Sequence, residues 1–244
     1  MYANRIPPYL PIRSVVFPLS HSGTWFIRCY TLLLLFSPLI NKGLESLDKK
    51  QFQYVLLLFT IANIYFGWFW KYPQFNDRGF NIQQFVYLYI IGRYIKLYVD
   101  FDAVRRRRWL WLALYVSLAV FLGIVQNIHD FVHIVPHWNG WAYSSQVVIT
   151  QAICLLLFFS TLNIQSNVIN FFARGTMAVF IVHMNRFLGG DLYNFSYSCL
   201  DKIGNDNIAL QVLALLGITL LIQLLIILLD VPRQWLQQSI NKRF

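Results

Sequence analysis

Charge is in short supply along this chain of 244 residues: Asp, Glu, Lys and Arg together make 12% of it, against about 25% in a soluble domain. That shortage excludes an ordinary water-facing surface over most of the chain. Acidic residues are the scarcer kind, 10 against 20 basic ones, and no carboxylate pair of the glycosidase type stands out. Three cysteines, Cys29, Cys154 and Cys199, are too few and too scattered for a disulfide framework. Cys29 and Cys154 fall in apolar runs and read as small fillers. The first 23 residues lack a basic stretch followed by an apolar one, so they do not read as a secretory signal peptide. Pro7, Pro8, Pro11 and Pro18 interrupt every apolar run there. A phosphate-cradling P-loop, an HExxH zinc pair and a Gly-x-Ser-x-Gly nucleophile elbow are all absent. The net charge of +10 comes with no nucleic-acid module. It reads instead as basic loops facing the cytoplasm.

What is present is hydrophobicity, 57% of the residues, arranged in blocks rather than stripes. Crossing about 30 Å of hydrocarbon takes roughly 20 apolar residues. Seven blocks come near that length, at 24–41, 54–70, 80–98, 109–126, 147–163, 169–188 and 209–229. The sequence therefore predicts an all-α fold, a polytopic transmembrane helix bundle with seven spans. An irregular segment 1–23 outside the cytoplasm precedes a transmembrane domain 24–230 and a basic cytoplasmic tail 231–244. The last block holds no charged residue, whereas the third carries Gln83, Gln84, Arg93 and Lys96. Trp25, Trp68, Trp70, Tyr98, Trp109 and Trp111 lie near block ends, as in an aromatic belt. Gly189-Gly190-Asp191 reads as a turn. Basic residues divide unevenly between alternate loops. Arg5, Arg13, Lys71, Arg78, Arg186 and Lys202 make six on one side, against twelve on the side that holds Arg105 to Arg108 and the C-terminal tail. The positive-inside rule puts the richer side in the cytoplasm and residue 1 outside.

The run Trp25-Phe26-Ile27-Arg28-Cys29-Tyr30, continued to Ser37-Pro38-Leu39-Ile40-Asn41, resembles a helix of the membrane acyltransferase 3 family that opens on Trp and closes on Pro. Trp25 and Pro38 match that pattern. Tyr30 stands where many members have Glu, and Leu34 where they have Tyr. A subgroup has Tyr at the first of these positions and continues Ser-Pro-Leu-Ile-Asn. Leu88-Tyr89-Ile90-Ile91-Gly92-Arg93-Tyr94-Ile95 is similar to a second helix of that subgroup, and Thr176-Met177-Ala178-Val179-Phe180-Ile181-Val182-His183 to a late one. Tyr143-Ser144-Ser145 with Gln151-Ala152-Ile153-Cys154 adds to the likeness, which runs from about Ser22 to the last block. The resemblance implies an integral membrane acyltransferase of the bacterial cytoplasmic (inner) membrane. Such an enzyme moves an acetyl or other acyl group from acyl-CoA, a donor substrate rather than a bound cofactor, to a hydroxyl of an envelope glycan. The family opens with further helices that carry an Arg and then a His taken as catalytic base. Nothing before Trp25 matches them, so the resemblance implies a chain without the family's N-terminal helices, from a truncated, frameshifted or split gene, and inactive by itself if it is a truncated copy. An odd number of absent helices agrees with the orientation read from the loops. A transporter, flippase or accessory of surface-glycan assembly would share the composition. The inverted repeats and matched helix breaks that mark transporters are not visible. A non-catalytic remnant is the third reading.

Acyl transfer needs a base for the attacking hydroxyl and donors for the developing oxyanion. Polar residues inside apolar blocks are the natural candidates, because lipid burial is costly to them. Arg28 near the start of the first block and His183 in the sixth are the candidate catalytic residues. Arg28 alternatively snorkels to headgroups, and His183 alternatively bonds between helices. Arg93 and Lys96 suit the phosphates of coenzyme A, or serve as positive-inside anchors. The resemblance adds Trp25 and Tyr30 to the acceptor-binding aromatics, beside Trp138, Trp141 and Tyr143 of a loop without Lys or Arg. Those loop rings either stack on a sugar or anchor at the interface. The Arg105–Arg108 run reads as a headgroup patch, with coenzyme A phosphate binding as the alternative. His129, His133 and His137 recur at metal-ligand spacing, but Pro136 breaks the helix and Asp130 is the one nearby carboxylate. No metal is therefore expected.

Overall fold

The computed structural model describes residues 25–68, 77–132, 139–184, 188–201 and 208–241. The segment 1–23, Trp70, Lys71, His133, His137, Trp138, Arg186 and Lys202 lie outside the described residues. What is described is mainly helical, with no strand among it. The chain divides into two compact units, one over Trp25–Asn163 and one over Ile164–Phe244.

The first unit holds α1 (Trp25–Glu45), α2 (Lys49–Trp68), a single 3-10 turn (Asp77–Gly79), α3 (Ile82–Tyr98), α4 (Phe101–Arg106), α5 (Arg108–Val132) and α6 (Gln146–Ser160). The second holds α7 (Asn167–His183), α8 (Leu188–Asp201) and α9 (Ile208–Asn241). Each of the seven expected apolar blocks coincides with a helix. Two helices were not expected, α4 and α8. The supposed turn Gly189-Gly190-Asp191 lies in the first turn of α8. Gly189 packs there against the carbonyl of His183, where a Cβ has no room. This close approach, rather than a chain reversal, accounts for the glycine.

Local chemistry fixes the helix ends. Asp48 and Gln51 make a reciprocal capping box at the start of α2, with Gln51 N donating to Asp48 Oδ1 at 2.8 Å and Asp48 N to Gln51 Oε1 at 3.0 Å. Asn81 caps α3 through Gln84 N at 3.3 Å, and Asp100 caps α4 through Asp102 N at 2.9 Å. Pro38 sits inside α1 and cannot donate to the carbonyl of Leu34. Ser37 Oγ donates to that carbonyl instead, at 2.9 Å. The Ser-Pro pair thus lets the helix continue to Glu45.

In the first unit α3 packs between α1 and α2, and α5 packs along α6. Phe52 is fully buried and meets Leu44 and Ile90. A second core joins Ile95, Val104 and Leu157. In the second unit α9 packs on α7 and α8. Gly175 of α7 permits that approach, since a Cβ there would lie 2.5 Å from Ile227 Cγ1. Small residues at such contacts are the usual device of helices in lipid.

Among the described residues two helices are long and apolar enough to cross a membrane, Arg108–His129 and Ile208–Leu236, and Gln146–Ser160 is a shorter apolar helix. Only 11% of either long window is buried, which is unlike the core helix of a soluble domain. Large apolar side chains face outward, among them Leu229 at 81% exposure and Leu35 at 70%. Water does not favour such a surface.

Candidate functional site

The first unit gathers aromatic rings around the start of α1. Trp25 meets Phe80 at 4.7 Å between ring centroids, Tyr143 at 6.0 Å and Phe85 at 6.1 Å. Phe80 and Tyr143 meet edge to face at 5.3 Å. Phe26 touches Phe85 at 5.4 Å and lies parallel to Tyr30 at 6.1 Å. The chain thus brings together Trp25 and Tyr143, with Tyr30 joined through Phe26. Tyr143 remains 56% exposed and Trp141 58%. Both offer ring surface to a ligand.

A special backbone conformation places Tyr143. Asp77, Arg78 and Gly79 all have positive φ, with Gly79 at +99°. Gly79 is buried against Tyr143 and the amide of Ser144. The segment 139–145 is then held by buried amide side chains. Gln126 Oε1 accepts from Gly140 N at 2.8 Å, Gln84 Nε2 donates to Tyr143 O at 3.1 Å, and Asn63 Nδ2 donates to Ser144 O at 3.1 Å. Nearby, Thr60 Oγ1 and Tyr87 OH are 2.6 Å apart, and Tyr87 OH donates to Gln146 Oε1 at 3.5 Å. Gln84 and Tyr87 are three residues apart on α3, and Thr60 and Asn63 three apart on α2, so each pair shares a helix face. This uncharged polar layer was missed from the sequence. Its signal was there: amides and hydroxyls at helical spacing inside apolar blocks.

Arg28 lies exposed on α1, one residue before buried Cys29, whose thiol reaches toward Phe80 O at 3.8 Å. Farther along α3, Arg93 pairs with Glu45 at 3.3 Å and keeps only 19% of its side chain exposed. Its Nε is buried without a hydrogen-bond partner among the described residues. Lys96 is exposed. Around Arg93 the helices are tied by Gln53 Nε2 donating to Tyr94 OH and Tyr89 OH donating to Asn41 Oδ1, both at 2.8 Å. The arginine run makes loose pairs at 3.8 and 4.0 Å with Asp102 and Asp100, all four side chains at least 67% exposed. Such surface pairs contribute little.

In the second unit His183 ends α7. Its Nδ1 lies 2.9 Å from Val179 O. A carbonyl only accepts, so Nδ1 donates this bond. His129, in α5 of the first unit, is buried at 7% exposure. Among the described residues no three His, Cys, Asp or Glu side chains are placed to hold a metal.

A family model described as an acyltransferase domain, that of the acyltransferase 3 family, matches residues 4–228. No curated protein and no solved structure matches the chain.

Proposed function

Since the chain belongs to the acyltransferase 3 family, we propose that it is a multi-pass membrane acyltransferase acting on an envelope glycan. The match over residues 4–228 carries this reading. The outward-facing apolar side chains of α5 and α9 support the membrane setting. The donor is an acyl-CoA, acetyl-CoA in the simplest case. The acceptor hydroxyl oxygen attacks the thioester carbonyl, its proton passes to a base, the C–S bond breaks, and coenzyme A leaves as the thiol. His183 is the candidate base of the second unit, and Arg28 the candidate of the first for stabilising anionic oxygen. Arg93 and Lys96 receive the coenzyme A phosphates, with the free Nε of Arg93 as one donor. Trp25, Tyr30, Trp141 and Tyr143 stack on the acceptor, and Trp138 belongs to the same loop. The seven helices at the expected blocks all span the bacterial inner membrane, and the C-terminus faces the cytoplasm.

The test is transfer of label. Membranes containing the full chain receive acetyl-CoA labelled in the acetyl group, and base-labile label is measured in the envelope glycan. Label above that of membranes without the chain supports the proposal. No such label, with an active acyltransferase as positive control, defeats it.

A further inference from the structure

Helix α4 is six residues long, too short to be stable alone. Two features hold it. Asp100 caps its start, with Oδ1 accepting from Asp102 N at 2.9 Å and from Ala103 N at 3.3 Å. Val104 is buried with Ile95 of α3 and Leu157 of α6. The body of the first unit therefore sets which way α4 faces. Arg106 lies two residues beyond Val104, about 200° round the helix, and points away from that contact. Arg107 closes α4 and Arg108 opens α5. All four arginines are exposed. Their neutralising partners are few. The carboxylate of Asp100 is engaged in the cap, and its second oxygen lies 4.0 Å from Arg106. Arg105 is 3.8 Å from Asp102. Arg107 and Arg108 have no carboxylate partner among the described residues. The guanidinium of Arg108 lies instead over the Trp109 ring, 5.2 Å from its centroid. Four like charges in a row repel one another, and a bound anion relieves that repulsion. A flat, forked, weakly hydrated guanidinium suits phosphate oxygens best.

The surroundings select the form of phosphate. Leu97, Phe101, Trp109 and Leu110 flank the arginines and are all exposed. Trp109 is steadied there by Phe158 of α6, at 5.9 Å between ring centroids. A soluble phosphate leaves these apolar side chains in water. A phospholipid covers them with its acyl chains while its phosphate meets the arginines. The apolar window of α5 begins at Arg108. In the membrane setting proposed above, the run thus lies at the edge of the hydrocarbon, at headgroup depth. A zwitterionic headgroup carries its own ammonium group, which the arginines repel, whereas an anionic one does not. We propose that the α4–α5 junction, Arg105 to Arg108, binds an anionic phospholipid, its phosphate on the arginines and an acyl chain against Trp109. The proposal rests on that membrane setting and not on acyl transfer.

The full chain is purified in a polyoxyethylene detergent. Its tryptophan fluorescence is titrated with phosphatidylglycerol or phosphatidylcholine, each brominated near the head of an acyl chain, since bromine quenches the rings it touches. Phosphatidylglycerol should quench at lower concentration and to saturation, and Trp109→Phe should lose that extra quenching. Arg105→Gln combined with Arg106→Gln should weaken the phosphatidylglycerol titration about tenfold or more, each arginine beside an anionic lipid being worth roughly fivefold. Both arginines are exposed, so the helical circular dichroism of this variant should match wild type, and the Trp109→Phe arm tests the proposal without it. Lys49→Gln with Lys50→Gln removes two charges at the start of α2, where Lys49 lies 5.6 Å from the centroid of the Tyr98 ring at the end of α3, and should change little. A loss there equal to that of the arginine pair means a diffuse field and overturns the proposal. Equal quenching by the two lipids, unchanged binding in the arginine variant, or full extra quenching in Trp109→Phe also overturns it. Inorganic phosphate and coenzyme A, soluble sources of the same chemistry, are added at constant ionic strength. Loss of the lipid preference to either marks a soluble-phosphate site and overturns the proposal. Label transfer without a phosphatidylglycerol preference sinks this proposal alone. The preference without label transfer sinks the acyltransferase reading alone.

Discussion

Replacing Gly79 with alanine tests the device that sets Tyr143 in place. The φ of Gly79 is +99°, a conformation that costs a residue with a Cβ about 1–3 kcal/mol. The added Cβ would lie 2.5 Å from Tyr143 Cβ and 3.1 Å from Ser144 N. Relief requires the 139–145 segment to move, and that movement strains the bonds from Gln84 and Asn63. Overpacking of this kind costs roughly 1–3 kcal/mol. The two together give about 2–4 kcal/mol, allowing for some relaxation. In a chain of this size each kcal/mol shifts a melting midpoint by roughly 2–4 °C, so a fall of about 5–15 °C is expected. Helical circular dichroism in detergent measures it. A second substitution separates the two costs. Tyr143→Gly removes the clashing Cβ but leaves the φ penalty, so the double variant should lose less than the sum of the single ones. The coupling should be about 1–3 kcal/mol, as for residues in contact. A midpoint within about 2 °C of wild type for Gly79→Ala, or strict additivity with Tyr143→Gly, would refute the packing argument.

Three further outcomes follow from the same kind of reasoning. Asn63→Leu leaves the buried carbonyl of Ser144 without its donor and should destabilise the first unit by about 1–3 kcal/mol, read by urea titration of the helical signal. Gly175→Ala sets a Cβ against Ile227 and should cost about 1–3 kcal/mol; Ile227→Val on top of it should recover part of that loss, and no recovery would place the strain elsewhere. His183→Ala should lower label transfer about 10²–10⁴-fold at an unchanged melting midpoint, if the ring acts as the base. Equal loss of transfer and stability would make the ring structural.

The helices were legible in the sequence because apolar blocks are a strong signal, and α5 begins at Arg108 beside the expected 109. Their ends were less so. Helix α9 runs to Asn241 through Pro232, where the apolar block stopped at 229. Hydrophobicity marks where lipid is favourable, whereas helical hydrogen bonding continues into polar sequence. Helix α8 escaped notice because Gly189-Gly190 imitates a turn, and the glycine's real cause, the carbonyl of His183, is a contact between helices. The site was half legible. Trp25 and Tyr143 were singled out separately, and their meeting depends on the positive-φ turn before Phe80, which no periodicity reveals. Gln84 weakened the third block as a membrane span, yet the same amide is buried and holds the Tyr143 carbonyl. Polarity that spoils a simple apolar pattern was here a mark of tertiary structure.

Helix α9 has a consequence for how this chain meets a bilayer. Its 34 residues make about 51 Å at 1.5 Å per residue, well beyond the roughly 30 Å that hydrocarbon requires. The excess begins at Asp230, which is clamped by Arg233 at 2.6 Å and by Gln234 at 3.0 Å. Pro232 falls in this stretch and releases the carbonyl of Leu228 from its helical bond. Headgroup water can solvate that carbonyl only if it sits at the edge of the hydrocarbon. The same few residues therefore gauge depth. In the membrane setting proposed above they would limit how far α9 sinks and leave the turns beyond them outside the hydrocarbon. A thiol-reactive, membrane-impermeant label on a cysteine placed along those turns would report which side of the membrane they occupy.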